Sequence, residues 1–466
     1  VNPKKVKFII SVIILAAVIL LAILYFHNLT PKYWELSSAV LSRNSDSDSQ
    51  IELASRCLAG SNGDTINIPK ALEILTRPGI KDRSAAIFYI YTADKKKGLT
   101  QEDSKKIFKD IKKIADTGNP CYQYITAICY RNGIGTDIDK MKYINYLKLS
   151  AGRNYYPATC ELGLEFSEGN IVDRNIMHAI GLIKKAADSG NAAARTYLAK
   201  CYHDGEGVKI NISKTVELLS LSADQGYAEA QYYLGQLYET GEGVEKNISK
   251  AIELYTLSAS QGYAKGQCAL GAYYFFGEGI NKNISKAIEL FTLSANSGDS
   301  MAQYNLALCY QKGDGVTKNI SKAIKLYTLS ANQGDADAQN NLALCYLNGD
   351  GVTKDLSKAI ELFSLSANQG HAEAQFNLGV CYQSGKGVEK DIYKAVSLYN
   401  SSADQGYSYA QYNLALCYIN GECGLNSPSK AIELLTLSAN QGYKKAEEKL
   451  KILNAEIQKQ NTNESD

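Results

Sequence analysis

Apolar residues recur along this chain with two periods, one short and one long. In residues 227–262, YAEAQYYLGQLYETGEGVEKNISKAIELYTLSASQG, Ala230, Leu234, Leu237 and Tyr238 follow the i, i+4, i+7, i+8 spacing of one helix face. Gly241-Glu242-Gly243 comes next, and glycine tolerates the positive φ at which a helix ends. Asn247 or Ser249 can cap a second helix, with Ala251, Leu254, Tyr255, Ser258 and Ala259 on one face and Gln261-Gly262 at its end. Gly235 and Ala251 are small where two such helices would cross closely. The pattern predicts a helix–turn–helix unit.

The long period is 36 residues, marked by Gly190, Gly226, Gly262, Gly298, Gly334, Gly370, Gly406 and Gly442. One helix pair cannot bury its apolar face alone, but stacked neighbours can, so a fixed period of this length predicts an array rather than one compact core. Nine clear copies fill 119–442, with Asn154 replacing the end glycine of the first. Two divergent copies occupy 47–118, where Pro69-Lys70-Ala71 takes the slot of Ser249-Lys250-Ala251. Terminal copies are expected to diverge because one face meets solvent. Residues 443–457 predict a capping helix with Ala446, Leu450 and Leu453 on one face, and 458–466 a disordered tail with nothing to bury.

Phe8 to Phe26 is a run of nineteen residues interrupted only by Ser11. At about 1.5 Å per residue it spans roughly 28 Å, enough for a bilayer core. His27-Asn28-Leu29-Thr30-Pro31 follows in place of a small-x-small cleavage site. Residues 1–30 therefore predict an uncleaved signal anchor. Lys4, Lys5 and Lys7 precede it and place the repeats on the extracytoplasmic side, although many cysteines pull against an oxidising compartment. Residues 31–46 are polar and predict a flexible spacer.

Ala230, Leu234, Gly235, Tyr238, Gly241, Gly243, Val244, Lys250, Ala251, Ala259, Gln261 and Gly262 follow the pattern A-x3-LG-x2-Y-x2-G-x-GV…KA…A-x-QG. This resembles the Sel-1-like repeat, a relative of the tetratricopeptide repeat, over about 119–442. The resemblance implies an all-α fold, a right-handed α/α superhelical solenoid of 36-residue helix-turn-helix repeats, to which the apolar run over 8–26 adds an N-terminal transmembrane helix. It implies a protein-binding scaffold, not an enzyme. Some secreted members pair cysteines eight residues apart around the repeat junction; here those positions are Ala259 and Gln267, and Ala331 and Gln339, so that stapled subclass is not matched.

Charge is nearly balanced, 50 basic against 48 acidic residues, which argues against a nucleic-acid partner. Cys129, Cys201, Cys309, Cys345, Cys381 and Cys417 share one repeat position. Equivalent helices of neighbouring repeats lie about 8–10 Å apart, beyond the ~7 Å Cα separation a disulfide allows. The ladder therefore reads as buried thiols. Tyr202, Tyr238, Tyr274, Tyr310, Tyr346, Tyr382 and Tyr418 form a second row, which reads as core packing.

Candidate chemistry is sparse. Four N-x-S sequons begin at Asn211, Asn247, Asn283 and Asn319, but Asp355 and Asp391 take the same position in later repeats, which favours helix capping over glycosylation. Glycine pairs such as Gly205/Gly207 and Gly313/Gly315 lie between helices with no preceding strand. Ser427-Pro428-Ser429-Lys430 has the S-x-x-K spacing of a penicillin-recognising nucleophile, yet lacks S-D-N and K-T-G partners and occupies a capping slot. His27, His178, His203 and His371 show no metal-ligand spacing. No metal, cofactor or catalytic residue is expected.

The leading reading is a membrane-anchored scaffold that binds a protein or peptide on its concave surface, with membrane contact through 8–26. The alternative is an envelope hydrolase of the β-lactamase or peptidoglycan-acting type. Off the buried stripe of the first helix lie two rows that suit a peptide: Asn305, Asn341, Asn377 and Asn413, and beside them Tyr232, Tyr304, Phe376 and Tyr412, with Tyr233 next to Tyr232. Asparagine donates and accepts towards an extended backbone, and aromatics add rigid contact area.

Overall fold

A computed structural model describes residues 101–463. Among the described residues all regular structure is helical, with twenty α-helices, one 3-10 turn at Glu422–Gly424 and no strand. Residues 1–100 are not described, so the expected anchor over 8–26, the spacer and most of the divergent copies over 47–118 lie outside them. Among the described residues no helix is long and apolar enough to cross a membrane.

The chain divides into two units, 1–210 and 211–466. The first unit contains α1 (Gln101–Asp116), α2 (Pro120–Asn132), α3 (Lys140–Gly152), α4 (Tyr156–Glu168), α5 (Ile176–Asp188) and α6 (Ala192–Asp204), each packed on the next. The second begins at α7 (Ile212–Asp224) and continues through the pair α8 (Ala228–Thr240) and α9 (Ile248–Ser260), and then α10 (Ala264–Phe276) and α11 (Ile284–Asn296). The pairs α12 (Ser300–Lys312) and α13 (Ile320–Asn332), and α14 (Ala336–Asn348) and α15 (Leu356–Asn368), follow. The last pairs are α16 (Ala372–Ser384) with α17 (Ile392–Asp404) and α18 (Ser408–Asn420) with α19 (Pro428–Asn440), closed by α20 (Lys444–Asn463). Within this unit each first helix packs on its own second helix, and that second helix on the next first helix.

Local chemistry fixes the ends. The Asn247 side chain accepts from the Lys250 amide at 3.0 Å, and Asn211, Asn283, Asn319, Asp355 and Asp391 cap in the same way. The sequon asparagines are thus helix caps. Gly241 ends α8 at φ 83°, and a Cβ on Gly243, at φ 71°, would come within 2.4 Å of the Ile212 side chain. Only glycine satisfies both the backbone and the contact.

The expected stripes are the core. Ala230, Leu234 and Leu237 of α8, and Ala251, Leu254, Tyr255, Ser258 and Ala259 of α9, are buried. A Cβ on Gly235 would meet the Tyr255 ring at 2.8 Å, which explains the small residue at this crossing. The six equivalent cysteines are buried thiols. Burial pushes Cys201, Cys309 and Cys345 up to about 11, leaving them protonated and unreactive near neutrality.

Polar ladders tie the repeats together. Ser258 Oγ donates to Ala228 O at 2.7 Å, and Ser294, Ser330, Ser366, Ser402 and Ser438 repeat the bond. Gln267 Nε2 donates to Ala259 O, so an amide joins the positions where the stapled subclass would carry cysteines.

Two expectations are corrected. The tyrosine row at Tyr238 packs against the core but is only half-buried, and the Lys250 ammonium lies 4.5 Å from the Tyr238 ring centroid. Lys286, Lys322, Lys358, Lys394 and Lys430 cover Tyr274, Tyr310, Tyr346, Tyr382 and Tyr418 in turn. A tyrosine at a helix–loop corner buries its ring edge and offers its face to the cation. At the C-terminus α20 runs past the expected boundary at 457, and residues 458–463 of the expected tail are helical. Gln458, Lys459 and Gln460 are good helix formers that continue the backbone ladder from the docked first half.

Candidate interaction surface

The two sequence rows occupy the first helices, the asparagine row towards the preceding repeat and the aromatic row towards the following one. Tyr232, Tyr233, Tyr304, Asn305, Asn341, Phe376, Asn377, Tyr412 and Asn413 are all half-buried. They interlock rather than standing as separate solvated rows. Asn341 Nδ2 donates to the Tyr304 hydroxyl of the preceding repeat at 3.5 Å, and Asn377 Nδ2 to Asn340 Oδ1 at 3.1 Å. Asn305 Nδ2 reaches Cys268 Sγ at 3.8 Å. Cys268 and Asn340 hold the aromatic position in their repeats, so each bond links the asparagine row to the aromatic row one repeat earlier.

The aromatic row is braced from below. Tyr232, Tyr304 and Phe376 lie with ring centroids 5.8, 6.0 and 5.9 Å from Tyr255, Tyr327 and Tyr399, which are fully buried. Each buried tyrosine donates its hydroxyl to a polar group on its own first helix. Tyr255 donates to Glu239 at 2.5 Å, Tyr327 to Gln311 at 2.6 Å and Tyr399 to Gln383 at 2.8 Å. In the intervening repeats Phe291 and Phe363 replace tyrosine, and Phe275 and Leu347 replace the acceptor. From 232 to 376 the braced ring therefore recurs every second repeat, and Tyr412 breaks the alternation. Rigid support of this kind lowers the entropy cost of using the outer ring as a contact.

Sequence reasoning missed the residues at the first-helix N-termini. Asp299 and Asp335 cap α12 and α14 by accepting from Ala302 and Ala338 amides at 2.8 Å. His371 caps α16 through Nδ1 and meets Asp337 Oδ1 through Nε2 at 3.0 Å. Tyr407 and Tyr409 pack tilted against Phe376, with ring centroids 5.4 and 6.0 Å away. The signal was available in the recurrence of Tyr227, Tyr263, Tyr407 and Tyr443 at one repeat position.

Other features carry less. Ser427 Oγ caps α19 by accepting from the Lys430 amide at 3.4 Å, and the Lys430 ammonium sits over the Tyr418 ring. The S-x-x-K residues thus do capping and packing work. An open pocket of about 630 Å³ is lined by residues that include Tyr382, Val388, Tyr393 and Lys394, with no serine or cysteine among them. The second helices expose a row of leucines, Leu221, Leu257, Leu293, Leu329, Leu365 and Leu437.

Stacked helix pairs with a braced, polar–aromatic side define an α/α repeat protein of the interaction-scaffold type. The protein-family model described as Sel1 repeat matches eight consecutive stretches, from 157–191 through 408–443. The chain belongs to the Sel1 repeat family, whose members are in general protein-interaction scaffolds. The match starts one copy later than the sequence register suggested. Tyr122 and Thr126 stand where Ala230 and Leu234 do in a regular repeat, although α2 and α3 still form a helix pair.

Among solved structures, a protective antigen of uropathogenic Escherichia coli with an SLR fold is 31% identical, with 90% of this chain and 91% of that chain covered and a TM-score of 0.57. A Sel1 repeat protein from Oxalobacter formigenes is 29% identical over 52% of this chain and 96% of its own, with a TM-score of 0.46. No curated protein matches the chain.

Proposed function

We propose that this protein is a membrane-anchored scaffold that holds a partner protein or peptide along its first helices, the side that lines the concave face in right-handed α/α arrays. The braced aromatic row carries the reading. Tyr232, Tyr304 and Phe376 each rest on a buried tyrosine and remain half-open outward, which is the arrangement of a pre-organised contact rather than of incidental surface. The asparagine row adds hydrogen-bonding groups beside it. The apolar run over 8–26, with Lys4, Lys5 and Lys7 before it, supports an anchor with the repeats on the extracytoplasmic side.

A photocrosslinking phenylalanine analogue placed at position 304, on the first helix, and separately at position 257, on the second, tests the surface in membranes of the native host. Position 304 is expected to yield discrete partner adducts and position 257 to yield few. Adducts arising only from 257 would move the site to the leucine row. Protease added to intact cells is expected to digest the repeats, and protection until lysis would reverse the topology. No observation favours the hydrolase alternative, since Ser427 and Lys430 are committed to the cap and the Tyr418 ring.

A further inference from the structure

Along the first-helix N-termini of the second unit, two aromatic clusters flank a run of carboxylates. The residue preceding each first helix is in turn Tyr227, Tyr263, Asp299, Asp335, His371 and Tyr407, with Tyr443 before α20. Two positions on stand Glu229, Lys265, Met301, Asp337, Glu373 and Tyr409. At one end Tyr232 lies 5.2 Å from Tyr233 and 5.7 Å from Tyr263. At the other, Tyr407, Tyr409, Tyr443 and Tyr412 form a continuous chain of rings with centroids 4.8 to 5.4 Å apart. Tyr409 is 45% exposed, and Met301, between the clusters, is 61% exposed.

The middle of the strip is acidic. Asp299, Asp335, Asp337 and Glu373 follow one another there, against two cationisable groups on the strip, His371 among them and Lys265 one repeat before Asp299. The His371 ring caps α16 by accepting the Ala374 amide at Nδ1 and turns Nε2 to Asp337 Oδ1 at 3.0 Å. Half-burial pushes the Asp335 carboxyl up, and Asp337 and Asp299 push it further in spite of the Ala338 amide and His371, which pull it down. The strip holds more negative charge than its own neighbours offset. The carboxylates are strung along several repeats, and no three His, Cys, Asp or Glu among the described residues are placed to hold a metal. Spread charge of this kind suits cationic side chains on an extended chain. Repeats about 8–10 Å apart put roughly 16–20 Å between Asp299 and Glu373, or about five to six extended residues.

We propose that this strip docks an extended peptide segment with a central Arg or Lys pair and aromatic or aliphatic residues on both sides. Guanidinium or ammonium groups meet Asp299, Asp335, Asp337 and Glu373, while the flanking side chains pack on the two tyrosine clusters. The array already shows that its tyrosine faces take cations, in the lysine placed over each corner tyrosine. The proposal rests on the scaffold reading above and adds the charge and order of the ligand.

Random dodecapeptides displayed on phage and selected on the full-length chain in detergent test it. The expected consensus has a basic centre between apolar flanks. Selected peptides are then titrated against the Asp299→Asn/Asp335→Asn double variant. Asparagine keeps the caps, as Asn191 does by accepting from the Ala194 amide at 2.8 Å, so the variant removes charge without removing structure. Affinity is expected to fall about tenfold, with a shallower salt dependence in the variant. Tyr409→Ala is expected to weaken the same peptides. Selected peptides with neutral or acidic centres, or equal affinity for the double variant, would overturn the basic track and leave the scaffold reading standing. No enrichment of any peptide would overturn the scaffold reading and this inference with it.

Discussion

Ser297 holds the position from which a glutamine would bond back to Gln267, but its Oγ donates to Leu293 O at 3.1 Å and the buried Oε1 of Gln267 has no hydrogen-bond partner. In five other repeats a glutamine stands at the Ser297 position and donates to its counterpart. Gln261 meets Gln231, Gln333 meets Gln303, Gln369 meets Gln339, Gln405 meets Gln375 and Gln441 meets Gln411, at 2.7 to 2.9 Å. A serine is too short to span the gap. Ser297→Gln is expected to stabilise the protein by about 0.5–1.5 kcal/mol, and Gln333→Ser to destabilise it by a similar amount. Urea denaturation of both variants checks this. An unstabilised Ser297→Gln would show that Gln267 is satisfied in solution.

The alternation of tyrosine and phenylalanine in the core predicts a strong coupling. Tyr327 donates to Gln311 at 2.6 Å. Gln311→Leu strands a buried hydroxyl and is expected to cost about 1–3 kcal/mol. Tyr327→Phe with Gln311→Leu recreates the Phe363–Leu347 pairing of the next repeat and is expected to cost much less than the sum. A double-mutant cycle returning no coupling would mean that the bond is exchanged for water.

Asp335 gives a pH signature. Its carboxyl is raised in the folded state, so the native protein holds that proton more tightly than the unfolded chain does. The ionised form therefore costs stability at neutral pH, and the cost disappears below the unfolded value of about 3.9. Asp335→Asn keeps the cap and is expected to raise the melting temperature at pH 7. The difference should vanish as the pH falls to about 4. A variant that melts lower at pH 7 would mean that capping by the charged group outweighs its crowding.

Repeat removal tests the array. Deleting 299–334 brings α14 onto α11, where Gln339 can take over the bond that Gln303 makes to Ala295 O. Asn341 would then meet Cys268 as Asn305 does. The shortened chain is expected to fold cooperatively with a lower urea m-value, in proportion to the lost surface. Removing only 299–316 leaves a second helix without its partner and is expected to abolish cooperative melting. Equal damage from the two deletions would contradict nearest-neighbour stability.

The helices and their ends were legible because their causes are local. Ala230, Leu234 and Leu237 share a face through helix geometry alone, Asn247 caps the amide three residues on, and Gly241 and Gly243 meet a backbone demand that no other residue type meets as cheaply. The buried cysteine row was legible for the same reason, since spacing between stacked helices already excluded bridges. What Asn341 and Tyr304 do with each other depended on how far one repeat advances along the next, a quantity no single repeat encodes. Read alone, the Asn341 side chain points away from its own helix pair; stacking brings the Tyr304 hydroxyl of the preceding repeat to it. The same holds for Tyr238, whose position on the apolar stripe suggested a core residue until packing left its face open to Lys250. Sequence by itself determined the elements and their period, because hydrogen bonding and periodic burial act within a few residues. Tertiary structure alone decided which side chains line the surface between repeats, because that depends on contacts between groups about 36 residues apart.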